Sequence, residues 1–124
     1  MLLRSFSVYT LMKFSVTLKK TADFQEVYHT GRSVADGNLV LYGRRNQLSV
    51  NRLGISVSKK YGNSVKRHLF RRRIRAIYES HEDTLIKGVD IVVIARNTAA
   101  DRSFSDLKIS FDKLVRRSGF VVTE

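Results

Sequence analysis

Residues 59–75 read Lys59-Lys60-Tyr61-Gly62-Asn63-Ser64-Val65-Lys66-Arg67-His68-Leu69-Phe70-Arg71-Arg72-Arg73-Ile74-Arg75, eight cations in seventeen residues. The apolar residues Val65, Leu69, Phe70, Ile74, Ala76 and Ile77 run through the same stretch, which a disordered basic tail has no use for. The spacing predicts a helix over about 63–80. At 100° per residue, Phe70, Ile74 and Ile77 share one core-facing sector, and Arg67, His68, Arg71, Arg72 and Arg75 lie in a broad arc on the other side. Arginine forks meet phosphate oxygens in bidentate fashion. Gly62 and Asn63 mark the helix start, where backbone N–H groups and the helix dipole also favour an anion. Lys59 and Lys60 approach the same end, and Lys66 sits in the first turn. Acidic residues, which would pair with these cations at i, i+4 on a merely soluble helix, are missing between 55 and 78. The segment is built to hold phosphates.

Other chemistry is thinly supported. His29, His68 and His81 are the only histidines, and their spacing gives no acid/base pair for RNA cleavage. Glu79-Ser80-His81-Glu82-Asp83 has metal-ligand residue types but no second ligand motif, and reads as a solvated acidic turn. Gly62 alone is no nucleotide loop.

The elements must place this helix on a folded body. The chain has 124 residues, 43% of them hydrophobic, which is enough for one domain with a core. Its net charge of +12 opposes compaction and calls for a polyanionic partner, nucleic acid ahead of an anionic membrane surface. Cysteine is absent, which excludes disulfides and thiolate metal sites and is compatible with a reducing cytoplasm, the expected location. Residues 1–12 lack a continuous apolar run and a cleavage site and make a poor signal peptide. Met12 is an alternative start. No run approaches the roughly 18 apolar residues of a membrane span.

Thr21–Thr30 reads as a short helix with Thr21 as N-cap, Asp23 in its first turn and Gly31 as a left-handed C-cap. Phe24, Val27 and Tyr28 share one face of it. Leu39–Gly43 is strand-like, and 52–58 alternates, with Leu53, Ile55 and Val57 on one side and small residues on the other. These two segments predict a hairpin. Val89–Ala95 is a β-branched run typical of a buried central strand. Ser103 N-caps a last helix that runs to Arg117, with Phe104, Leu107, Phe111, Leu114 and Val115 as its apolar stripe. The order α-β-β-α-β-α predicts a single-domain α+β fold, a small sheet with helices packed on it as a two-layer α/β sandwich.

These residues resemble a known family. Lys60 to Arg75 is similar to the signature K-x-G-N-A-V-x-R-N-R-x-K-R-x-x-R of the protein subunit of bacterial ribonuclease P. Leu53 to Lys60 resembles that family's strand before the helix. Leu18-Lys19-Lys20, Asp23-Phe24, Val27-Tyr28, Leu39 to Tyr42 and Asp90 to Arg96 match further dispersed motifs. The similarity covers about 14–117, and three positions depart from it. His68 and Leu69 replace the signature's Asn and second Arg, and Arg73 stands where an apolar residue is usual.

The resemblance implies the fold of the second domain of ribosomal protein S5. It implies a chain that binds a large catalytic RNA, whose holoenzyme cuts the 5′ leader from precursor tRNA. Hydrolysis would then belong to the RNA and to magnesium held by it, with no cofactor on the protein. The expected RNA contacts are Lys59, Lys60, Asn63, Lys66, Arg67, His68, Arg71, Arg72 and Arg75. The expected leader cleft is Phe24, Tyr28, Tyr42 and Ser56, with Lys19, Lys20 and Arg44 flanking it. Periodicity alone assigns Phe24 and Tyr28 to the core; the resemblance exposes them in the cleft. The expected organisation is an N-terminal extension (1–13), an RNA-binding domain (14–119) and a short tail (120–124). A ribosomal-type or chaperone-like RNA-binding protein is the alternative, and a protein-only nuclease would need a constellation that the sequence lacks.

Overall fold

The computed structural model describes residues 15–122; the expected extension over 1–13 and the last two residues of the tail lie outside the described residues. Five strands form one sheet: β1 (Ser15–Thr17), β2 (Arg32–Ala35), β3 (Leu39–Arg45), β4 (Asn51–Ser56) and β5 (Val89–Ala95). Among the described residues three α-helices accompany them: α1 (Thr21–Thr30), α2 (Ser64–Glu79) and α3 (Phe104–Ser118). The chain is α+β, as expected, with two additional strands.

The expected hairpin does not form. The sheet order is β1-β4-β5-β3-β2, with β5 inserted between the two segments assigned to the hairpin, antiparallel to β3 and parallel to β4. The reason is burial. Apart from Ile94, every residue of β5 is buried, and only a central position covers both faces of such a strand. The true hairpin joins β2 to β3 through Asp36, whose Oδ1 accepts from the Asn38 and Leu39 amides at 2.9 Å. β1 and β2 are edge strands of three and four mostly polar residues, too short to show a period.

Strand pleating divides the core. Leu39, Leu41, Leu53, Val89, Ile91 and Val93 point to one face, where Phe70, Ile74, Ile77 and Tyr78 of α2 and Leu107, Phe111, Leu114 and Val115 of α3 cover them. Burying each large apolar side chain of α2 contributes roughly 1.5–3 kcal/mol, so the helix is held firmly by one side. Val65 and Leu69, apolar by type, stay exposed (73% and 39%). Tyr78 Oη hydrogen bonds Ser15 Oγ (2.7 Å), tying α2 to the sheet edge. α3 starts at the expected N-cap Ser103, which forms a capping box with Asp106, and ends at Gly119, while Phe104 of its predicted stripe is exposed.

Among the described residues, α1 is the helix on the opposite face. Its N-cap is Lys20 rather than Thr21, and Gly31 is extended (φ −87°) rather than left-handed. Glycine is needed there for space: a Cβ on Gly31 would lie 2.5 Å from the Val27 carbonyl oxygen and 2.9 Å from that of Gly43.

Candidate nucleic-acid interface

α2 presents its cations on two flanks. Asn63 caps the helix, its side chain accepting from the Lys66 amide (2.9 Å). Arg67, Arg71 and Arg75 follow at i, i+4 spacing on the flank facing β4 and β1; Arg75 Nη1 donates to Thr17 Oγ1 (3.5 Å). His68 and Arg72 stand exposed on the outer ridge beside Val65. Lys66 instead lies on the α3 flank, 3.5 Å from Asp101, and Arg73 donates to the Arg102 carbonyl (3.3 Å) on that same side. The arc expected from the sequence, Arg67, His68, Arg71, Arg72 and Arg75, stays on one side of the helix, while the neighbouring polar residues depart from it. Lys66 falls on the far side, Asn63 spends its side chain on the cap, and the charge of Arg73 is displaced away from β4. Lys59 and Lys60 occupy an exposed 3-10 turn whose Tyr61 is anchored against Phe70, ring centroids 5.1 Å apart. Among the described residues no carboxylate pairs with Arg67, Arg71 or Arg72.

Beside this flank runs an open groove of about 290 Å³, lined by Lys19, Thr21, Phe24, Tyr28, Ile55, Ser56, Val57 and Arg71. The Phe24 and Tyr28 centroids are 6.3 Å apart, both rings half-buried. Tyr42 meets Tyr28 edge-on at 5.1 Å and stands behind it rather than in the groove wall. Gly54 makes this arrangement possible, because a Cβ there would lie 2.7 Å from the Phe24 ring. Burial raises the Tyr28 pKa, opposed by its hydrogen bond with Ser56 and reinforced by Tyr42. The phenol is neutral at physiological pH. Phe24, Tyr28, Ser56, Lys19 and Arg71 are thus brought together, combining stacking faces, a hydroxyl and two cations, the equipment for a single-stranded nucleic acid.

Arg44 is not available to flank the groove. Strand register sets Arg44, Asp90 and Arg52 side by side across β3, β5 and β4. Arg52 grips the fully buried Asp90 with two bonds, Nε to Oδ1 and Nη2 to Oδ2, both 2.8 Å. Arg44 Nε lies 3.3 Å from Asp90 Oδ2, and the Asn46 amide donates to Asp90 Oδ1 (2.8 Å). Burial alone would raise the Asp90 pKa, but the Arg52 fork, Asn46 and the charge of Arg44 outweigh it and hold the carboxyl below the usual range. The sequence reading missed this cluster. Its signal was present as a carboxylate inside the β-branched run, which demands a buried cation.

The remaining candidates lie elsewhere. His29 Nδ1 is 3.0 Å from the Gln25 carbonyl, and His81 contacts Asp112 of α3. Among the described residues no three His, Asp or Glu side chains gather as a metal site. Among the described residues, a larger groove of about 630 Å³ between the ends of α2 and α3 has Arg116 as its only Lys or Arg and no Phe or Tyr. No helix among the described residues is long and apolar enough to cross a membrane.

Comparison with known proteins finds relatives by sequence and by fold. The family model described as Ribonuclease P matches residues 12–119. The ribonuclease P protein component of Clostridioides difficile is 44% identical over 102 residues, covering 82% of this chain and 90% of the relative. That of Lachnoclostridium phytofermentans is 42% identical over 102 residues, covering 82% and 88%. Among solved structures, the RNase P protein of Staphylococcus aureus superposes with a TM-score of 0.79 at 38% identity, over 84% of this chain and 95% of its own. The RNase P protein of Thermotoga maritima gives 0.74 at 28% identity, over 82% and 96%.

Proposed function

The chain belongs to the ribonuclease P protein family, and from that premise we propose how its surface divides the work. In bacteria this protein assists an RNA subunit in removing the 5′ leader of tRNA, so the chain is part of a tRNA-processing enzyme that works with the ribonuclease P RNA. On our reading, hydrolysis resides in that RNA and the magnesium it holds, in the cytoplasm. This chain binds. The unpaired cations of α2 take RNA phosphates, with Arg67, Arg71, Arg72 and Arg75 as the principal contacts and Lys59, Lys60 and His68 beside them. The precursor tRNA leader lies in the groove, its bases against Phe24 and Tyr28, the Ser56 hydroxyl within its reach, and its backbone passing Lys19 and Arg71.

One observation carries this reading: half-buried rings on α1 share a groove with an unpaired arginine of α2. Such a groove places base and phosphate contacts on one strand, which neither a core packing nor a solvated helix requires. Tyr28→Ala is expected to weaken binding of a precursor tRNA with a single-stranded leader by roughly 1–3 kcal/mol, the contribution of one stacked base. Binding of mature tRNA, measured alongside, should be unaffected. Equal loss for both RNAs, or no loss, would reject the groove as the leader site.

A further inference from the structure

Helix α1 rests on one fully buried side chain. Val27 points at the sheet, packed with Leu18 and Val92. At 100° per residue the rest of the helix divides into two flanks. Phe24 and Tyr28 lie on the groove side. Asp23, Glu26 and Thr30 lie on the other, and each of them is bound from below. Arg52 Nη1 is 3.4 Å from Asp23 Oδ2, while Arg44 Nη1 is 3.2 Å from Glu26 Oε2 and donates to Thr30 Oγ1 at 3.3 Å. Both arginines are in turn held by Asp90 on the central strand. The half-buried Phe24 and Tyr28 pack against this cluster on the groove side only, so the other flank is held by polar contacts, and a roll about Val27 would carry both rings across the groove.

We propose that Asp23, Glu26, Arg44 and Arg52, gathered on Asp90, are positioning residues for single-stranded RNA: they fasten the back of α1 and so fix the aromatic wall of a groove that none of them touches. The proposal rests on the leader-groove reading. It also accounts for acidic residues being kept beside an RNA site in a chain of net charge +12.

The test turns on a sign. In Asp23→Asn/Glu26→Gln two negative charges near a polyanion site are removed, and simple electrostatics then predicts tighter RNA binding. The clamp predicts the reverse. A short single-stranded RNA of leader length should bind on the order of fivefold more weakly, a part of one base's stacking contribution. Affinity for the ribonuclease P RNA, carried by α2, should hold or rise slightly, and the melting temperature should hardly move because both carboxylates are partly exposed. Tighter or unchanged binding of the short RNA overturns the clamp. A parallel fall in both RNA affinities and in melting temperature overturns it too, in favour of a general structural role. Tyr28→Ala is measured beside it. If that variant binds the short RNA normally, the groove reading itself has failed; if it binds weakly while the acidic variant does not, only the clamp has.

Discussion

Asp90→Asn is expected to cost the fold about 3–5 kcal/mol, the penalty for removing one partner of a buried ion pair. The carboxylate is fully buried and holds both Arg52 and Arg44, so the variant leaves two guanidinium groups around a neutral amide in the sheet. Against a typical domain stability of about 5–15 kcal/mol this is a large fraction. It should appear as a lower urea midpoint with little change in slope. The pH dependence follows from the lowered pKa of Asp90. The stabilisation is complete above the unfolded carboxyl value of about 3.9 and is lost as pH falls below it, through the lower folded value. The gap between wild type and Asp90→Asn should therefore be widest near neutrality and close on acidification. A gap independent of pH would mean that the missing contribution is packing rather than charge.

The second large effect is on RNA. Arg71, Arg72 and Arg75 project from a helix whose other side is fastened by Phe70, Ile74, Ile77 and Tyr78, so their replacement by Ala should leave the fold intact. Each phosphate deprived of its arginine should flatten the dependence of log affinity on log salt by roughly 0.7–0.9, about two units for the triple variant. Charge-assisted bonds contribute about 1.5–3 kcal/mol each, so binding to the ribonuclease P RNA should fall by roughly 1000-fold or more at moderate salt. Titrations at several salt concentrations separate the two quantities. A weaker affinity with an unchanged slope would mean that these arginines do not meet phosphates.

What the sequence disclosed follows physical lines. α2 and α3 were legible because strong caps, Asn63 and the Ser103–Asp106 box, open long apolar stripes. β5 was legible because an unbroken β-branched run has one natural place in a sheet. Pairing was not, since nothing local tells Leu39–Arg45 that its neighbours are Arg32–Ala35 and a segment some fifty residues away. At the site, the spacing of Phe24, Val27 and Tyr28 equally fits a core face. Only Gly54, which lets Phe24 lie low on β4 beside an uncovered stretch of sheet, turns two of the three into a groove wall. Charge type was readable along α2 but pairing was not. Lys66 and Arg44 look as available in sequence as Arg71 until Asp101, Glu26 and Asp90 come up beside them.

Reconstitution tests the central claim most directly. The protein, a bacterial ribonuclease P RNA and a precursor tRNA are combined at low magnesium, where RNA alone cleaves slowly. Leader removal should rise strongly with protein, fall back for the Arg71, Arg72 and Arg75 triple variant, and stay absent with protein alone. No enhancement by the protein, or cleavage by the protein without RNA, would contradict the account.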